Sequence, residues 1–153
     1  MKTLIIYDSF FGNTQKIAEK MAEPLGGSAV AKRVMNVTVA DVEESDCILF
    51  GSPTRGFAPT AEMRKFMKTL PGKILSDKTI GVFDTRIDVV RVNVKVFSFL
   101  VRIFGYAADT LEKMAKRLGA GKVNSGFFFV TESEGPLADG ELSRAARWAA
   151  SVA

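Results

Sequence analysis

The sequence predicts an α/β fold in which helices wind over both faces of a parallel sheet, and three observations predict it. Short apolar runs rich in β-branched and aromatic residues recur at 3–7, 47–50 and 79–83, the pattern of strands buried on both faces. Each run passes at once into a polar segment, at 8–13, 51–59 and 84–86. Helical stripes of apolar residues then follow, and strands alternating with helices imply right-handed crossovers and a doubly wound sheet.

In chain order, TLIIY at 3–7 is the first strand and Asp8 to Asn13 breaks it. Ile17, Ala18, Met21, Ala22 and Leu25 then stripe one face of a helix. A turn placed there collects the unpaired N–H groups of the helix start. With hydroxyls at Ser9 and Thr14 it forms a cradle for a phosphate or other anion, and Gly12 lets the backbone come close. The alternative at this point is a helix start capped by Asn13 with no ligand. Pro24 to Gly27 stops the helix, and 28–34 reads as a weaker, edge-like strand. The acidic stretch 41–46 reads as a turn or two of solvated helix. After the strand at 47–50, Thr60 caps a helix carrying Met63, Phe66, Met67 and Leu70 on one side. The strand at 79–83 runs into a polar loop at 84–86. Ala107, Ala108, Leu111, Met114, Ala115 and Leu118 mark a helix closed by Gly119; 126–130 is the last strand and 139–152 the last helix.

The chain has 153 residues, 47% apolar and 25% charged, which suits one globular domain spanning 1–153. Neither a signal peptide nor an unbroken apolar stretch of about 18 residues is present, so a cytoplasmic location is expected. Cys47 is the only cysteine, which excludes an internal disulfide, and it reads as a buried small hydrophobe. There is no histidine. Ser-His-Asp and Cys-His catalysis and histidine-ligated metal sites are therefore excluded, and redox chemistry would need an organic cofactor. The net charge of +4 is spread along the chain without a nucleic-acid-binding signature, so no nucleic-acid partner is expected.

Neither a G-x-G-x-x-G fingerprint nor a G-x-x-x-x-G-K-[ST] loop occurs. The order of elements, with SFFGNT directly after the first strand, instead resembles the flavodoxin family, whose first loop holds the phosphate of FMN. The resemblance implies five parallel strands in the order 2-1-3-4-5, with a crevice at the C-terminal ends of strands one and three. It assigns Ser9, Phe10, Phe11, Gly12, Asn13 and Thr14 to the phosphate loop. Pro53, Thr54, Arg55, Gly56 and Phe57 then wrap one face of the isoalloxazine, and Asp84, Thr85 and Arg86 meet its pyrimidine end. Phe57 would stack on the flavin. Gly56 would let a peptide carbonyl turn toward flavin N5. The segment EGPLADGELSRA at 134–145 also looks like small flavodoxin-domain proteins. Three departures stand out. Phe11 sits where the family commonly has a hydroxyl, the third loop lacks an aromatic, and Arg55 and Arg86 replace an acidic surround, which would raise the flavin potential.

A fourth departure is the inserted segment 88–104, DVVRVNVKVFSFLVRIF. As a helix it would place Val89, Val92, Val96, Leu100 and Ile103 on one face. As a strand it would alternate valines with Arg91, Asn93 and Lys95, and the sequence leaves both open. Its apolar surplus suggests a second subunit, a lid or a membrane interface, against the alternative of an ordinary helix packed on the sheet. A homodimer is favoured slightly over lipid, because Asp88 and Asn93 interrupt the basic face. The expected function is an FMN-binding electron-transfer flavoprotein serving a redox partner protein or a quinone. The alternatives are a quinone-coupled oxidoreductase resembling menaquinone-dependent protoporphyrinogen oxidases, and a flavin-free binding module on the same fold.

Overall fold

β1 (Thr3–Tyr7) lies inside the sheet because all five of its residues are buried, leaving no polar side chain to turn to water on either face. In the computed structural model, which describes residues 1–88 and 95–153, it pairs in parallel with β2 (Ala29–Arg33) on one side and β3 (Cys47–Pro53) on the other. β4 (Thr79–Ile87) and β5 (Val123–Val130) complete a five-stranded sheet in the order β2-β1-β3-β4-β5. The helices are α1 (Asn13–Ala22), α2 (Val39–Glu43), α3 (Ala61–Thr69), α4 (Lys95–Phe104), α5 (Ala107–Arg117) and α6 (Glu141–Val152). This is the flavodoxin-like arrangement expected from the sequence.

Period-two alternation splits the strand residues between two cores. Leu4, Ile6, Ile48, Phe50, Ile80 and Val82 face α3 and α5. Ile5, Tyr7, Cys47, Leu49, Phe83 and Phe128 face α1 and α6. On the second face Trp148 meets Phe83 and Phe128 edge-on at 6.1 and 6.2 Å. The indole also lies across Gly126, where an added Cβ would come within 2.7 Å of it, so only glycine fits under that ring. Burial holds the Cys47 thiol well above its usual range, at about 11, in keeping with a packing role.

Several boundaries differ from the sequence reading, and each has a local cause. β3 continues to Pro53 and β4 to Ile87, so Pro53 and the triplet Asp84-Thr85-Arg86 belong to strands rather than loops. The ladder continues because Gly51, Ser52 and Pro53 pair with Phe83, Asp84 and Thr85, and β5 then supports 84–87 from the other side. α1 is capped by Gly12, at φ 87, and not by Asn13; no side chain bonds its first turn. Of the inserted segment, 95–104 is helical, while 89–94 lies outside the described residues. Among the described residues no helix is long and apolar enough to cross a membrane.

β5 is an edge strand, and α6 closes much of its outer side. The Phe129 N–H donates to Glu141 Oε2 at 2.6 Å, Arg144 Nη2 donates to the Phe127 carbonyl, and Ala138 N–H donates to the Phe129 carbonyl at 2.9 Å.

Candidate functional site

The register aligns Tyr7 with Gly51 and Pro53 with Thr85, which brings the C-terminal ends of β1, β3 and β4 to one rim. An open cleft lies there. Of the predicted site residues, Ser9, Phe10, Phe11, Asn13, Thr14, Pro53, Thr54, Arg55, Thr85 and Arg86 line it. Gly12, Gly56, Phe57 and Asp84 do not. Ile87, Val130 and Ser133 line it unforeseen. Ile87 ends β4, Val130 ends β5 and Ser133 follows it, so the signal for them was that both strands end on the one rim.

One side of the cleft is the start of α1. Gly12 N–H donates to Ser9 Oγ at 3.0 Å, and the first bond of the helix runs from Lys16 N–H to the Gly12 carbonyl at 3.0 Å. Helix geometry then leaves the N–H groups of Asn13, Thr14 and Gln15 without a partner in the helix, and Gly12 has no side chain to serve them. Gly12 is needed for its left-handed φ and not for room, since a Cβ there would meet nothing within 4 Å. Thr14 is buried with its hydroxyl 2.8 Å from that of Thr85. Asn13 lines the cleft, and its side-chain amide donates to the Glu134 carbonyl at 2.9 Å, tying down the loop after β5. Arg33 braces the loop from outside, donating to the Ser9 carbonyl at 3.0 Å and to Asp8 at 3.2 Å.

The β4 side behaves differently. Arg86 grips the fully buried Asp84 with two bonds of 2.6 Å, and the Ala108 N–H donates to the same carboxylate at 2.9 Å. Burial pushes the Asp84 carboxyl up, while Arg86 and the Ala108 N–H pull against that rise. The guanidinium lies over two rings, 3.5 Å from the Tyr106 centroid and 4.7 Å from that of Phe127. Arg86 thus reaches the cleft with its charge already matched. Thr54 is also engaged, its hydroxyl accepting from Ala107 N–H at 3.0 Å. Asp84 and Thr54, expected to meet a ligand, hold the start of α5.

The mouth is aromatic. Phe10 and Phe11 are about half exposed, and Arg55 lies over both rings at 5.2 and 5.3 Å. Arg55 and Ala58 exchange backbone hydrogen bonds around Gly56 and Phe57, which both adopt positive φ, a two-residue hairpin turn. That turn sends Phe57 away from the cleft. Its ring packs 5.7 Å from both Phe97 and Phe104 of α4, so the rings available to a flat ligand are those of Phe10 and Phe11.

The flavodoxin domain model matches residues 4–97. A flavodoxin of Haemophilus influenzae is 32% identical over 52% of this chain and 47% of its own length. An NAD(P)H dehydrogenase (quinone) of Geotalea daltonii is 27% identical over 53% of each chain. The chain spans about half the length of these curated relatives. Among solved structures, the two-electron reduced flavodoxin of Megasphaera elsdenii shares the fold, with a TM-score of 0.70 at 23% identity over 97% of this chain and 98% of that one. Fold, rim cleft and domain match agree, and the chain belongs to the flavodoxin family, a family of flavin-binding redox proteins.

Proposed function

We propose that this chain binds FMN non-covalently in the rim cleft, works in the cytoplasm, and passes electrons one or two at a time to a redox partner protein or a quinone. The observation that carries the reading is the convergence of the buried hydroxyls of Ser9 and Thr14 on the uncapped first turn of α1. These groups suit a phosphate, since the N–H groups of the first turn and the proton of the Ser9 hydroxyl can donate to it and the positive end of α1 favours its charge. When bound, the flavin would supply the one- and two-electron chemistry. The protein's part is to orient and to tune. Phe10, Phe11 and Arg55 offer a stacking wall, while the matched Asp84–Arg86 pair keeps most of the Arg86 charge from the ring. The single cation left to raise the potential at the cleft is then Arg55, which has no ion pair among the described residues.

Titration of apoprotein with FMN, riboflavin and FAD tests this. FMN should bind tighter than riboflavin by at least tenfold, the margin of one good charged hydrogen bond at about 1.5 kcal/mol or more, and FAD should not replace it. Equal affinity for FMN and riboflavin would remove the phosphate reading. A second reading, a quinone-coupled oxidoreductase, is supported by relatives bearing the name NAD(P)H dehydrogenase (quinone) and by the exposed apolar side chains of α4. Quinone-dependent reoxidation of the reduced protein, faster than its reoxidation by any one-electron protein acceptor, would favour it.

A further inference from the structure

α4 has no buried residue. Val96, Phe99, Ile103 and Phe104 are each more than half exposed, an apolar ridge at helical spacing on a ten-residue helix. The ridge is continuous with the mouth of the cleft: Phe104 and Phe97 pack on Phe57, and the hairpin turn carrying Phe57 also carries Arg55, which covers the half-exposed Phe10 and Phe11. Apolar surface on this scale, gathered at one end of the molecule, marks an interaction site.

Charge identifies the occupant. Lys95, Arg102 and Arg55 flank the ridge, α4 contains no Asp or Glu, and none of the three cations has an ion pair among the described residues. A second copy docked ridge to ridge would set Lys95 and Arg102 against another α4, which has no carboxylate to pair with them. That argues against the homodimer favoured from sequence. A bilayer of anionic phospholipid supplies both missing elements, negative headgroups and apolar depth. Ten residues at about 1.5 Å each reach only half of a hydrocarbon core of about 30 Å, so the helix would lie in the interface and not cross it. We propose that α4 and the Phe10–Phe11 loop form a peripheral docking surface for anionic phospholipid, which would set the mouth of the rim cleft against the membrane. The proposal goes beyond the flavin reading and does not depend on it.

The test is co-sedimentation of the full chain, with and without FMN, with phosphatidylcholine vesicles and with equimolar phosphatidylcholine–phosphatidylglycerol vesicles at low and high salt. Wild type should bind only the mixed vesicles and release at high salt, because exposed charges are screened there. Lys95→Gln with Arg102→Gln should lower the partition coefficient about thirtyfold, the factor expected for losing two basic residues near an anionic surface. Phe99→Asp with Ile103→Asp should abolish binding. Since Lys95, Phe99, Arg102 and Ile103 are all exposed, both variants should keep the wild-type melting curve; if the aspartate variant does not, the glutamine pair decides. The proposal is overturned if wild type stays in the supernatant with mixed vesicles at low salt, or if the glutamine pair binds like wild type. It is equally overturned if wild type is a dimer in solution that Phe99→Asp with Ile103→Asp dissociates. Vesicle binding by apoprotein that fails to take up FMN would leave it standing while removing the flavin reading.

Discussion

Two helices start on the same rim, and they start in opposite ways. α1 begins at Gly12 with no side chain over its first turn. α5 begins with its first two N–H groups held by the Thr54 hydroxyl and the Asp84 carboxylate, themselves anchored through strands β3 and β4. Both stretches read alike in the sequence, as short polar segments after an apolar run. The difference is whether the polar groups answer one another. Where they do, the segment is part of the framework; where donors are left over at the rim cleft, an anion has something to bind.

The largest effect should come from opening the closed side. Arg86→Met would leave the fully buried Asp84 carboxylate without its counter-charge and should cost about 3–5 kcal/mol in urea unfolding at neutral pH. The sign with pH follows from the Asp84 carboxyl, which burial already holds above its ordinary value and which would rise further without Arg86. A group raised in the folded state contributes stability below its unfolded value of about 4 and loses it as pH climbs, so the variant's deficit should shrink on acidification. Adding Asp84→Asn should restore much of the loss. A deficit independent of pH would mean that Arg86 acts through its packing on Tyr106 and Phe127 alone.

On the open side, Thr14→Ala should weaken FMN binding by about 1–3 kcal/mol while changing the unfolding midpoint little, the reverse of the Arg86 result. An unaltered FMN dissociation constant would place the Thr14 hydroxyl in the Thr85 bond only. The smallest effect belongs to Thr54→Ala, about 1 kcal/mol of stability, as for a lost helix cap, with FMN affinity kept. If FMN affinity falls instead, Thr54 serves the cleft as well as α5.

Much of this was legible in the sequence. Strands such as CILF at 47–50 show themselves because a doubly covered strand has no polar position to hide, and Thr60 shows its cap because hydroxyl preference at that position is strong. The roles of Asp84, Thr54 and Phe57 were not legible. Each depends on a partner distant in sequence: Asp84 on Ala108, Thr54 on Ala107, Phe57 on Phe97 and Phe104. Residue type names a group's capacity to bond, and only the fold says which capacity is already used. The helix at 95–104 was ambiguous for another reason, since valines and phenylalanines at close spacing satisfy both a two-residue and a 3.6-residue period.

The side chains that seal β5 also limit how copies of this protein can come together. A run of three phenylalanines on an edge strand is the kind of sequence that invites another chain to extend the ladder. Here the outward amide of Phe129 is taken by Glu141, its carbonyl by Ala138, and the Phe127 carbonyl by Arg144. A foreign strand arriving there would find these three groups already bonded. Glu141 and Arg144 in this sense make the last helix the terminus of the ladder, taking up backbone groups of the phenylalanine run that an added strand would need.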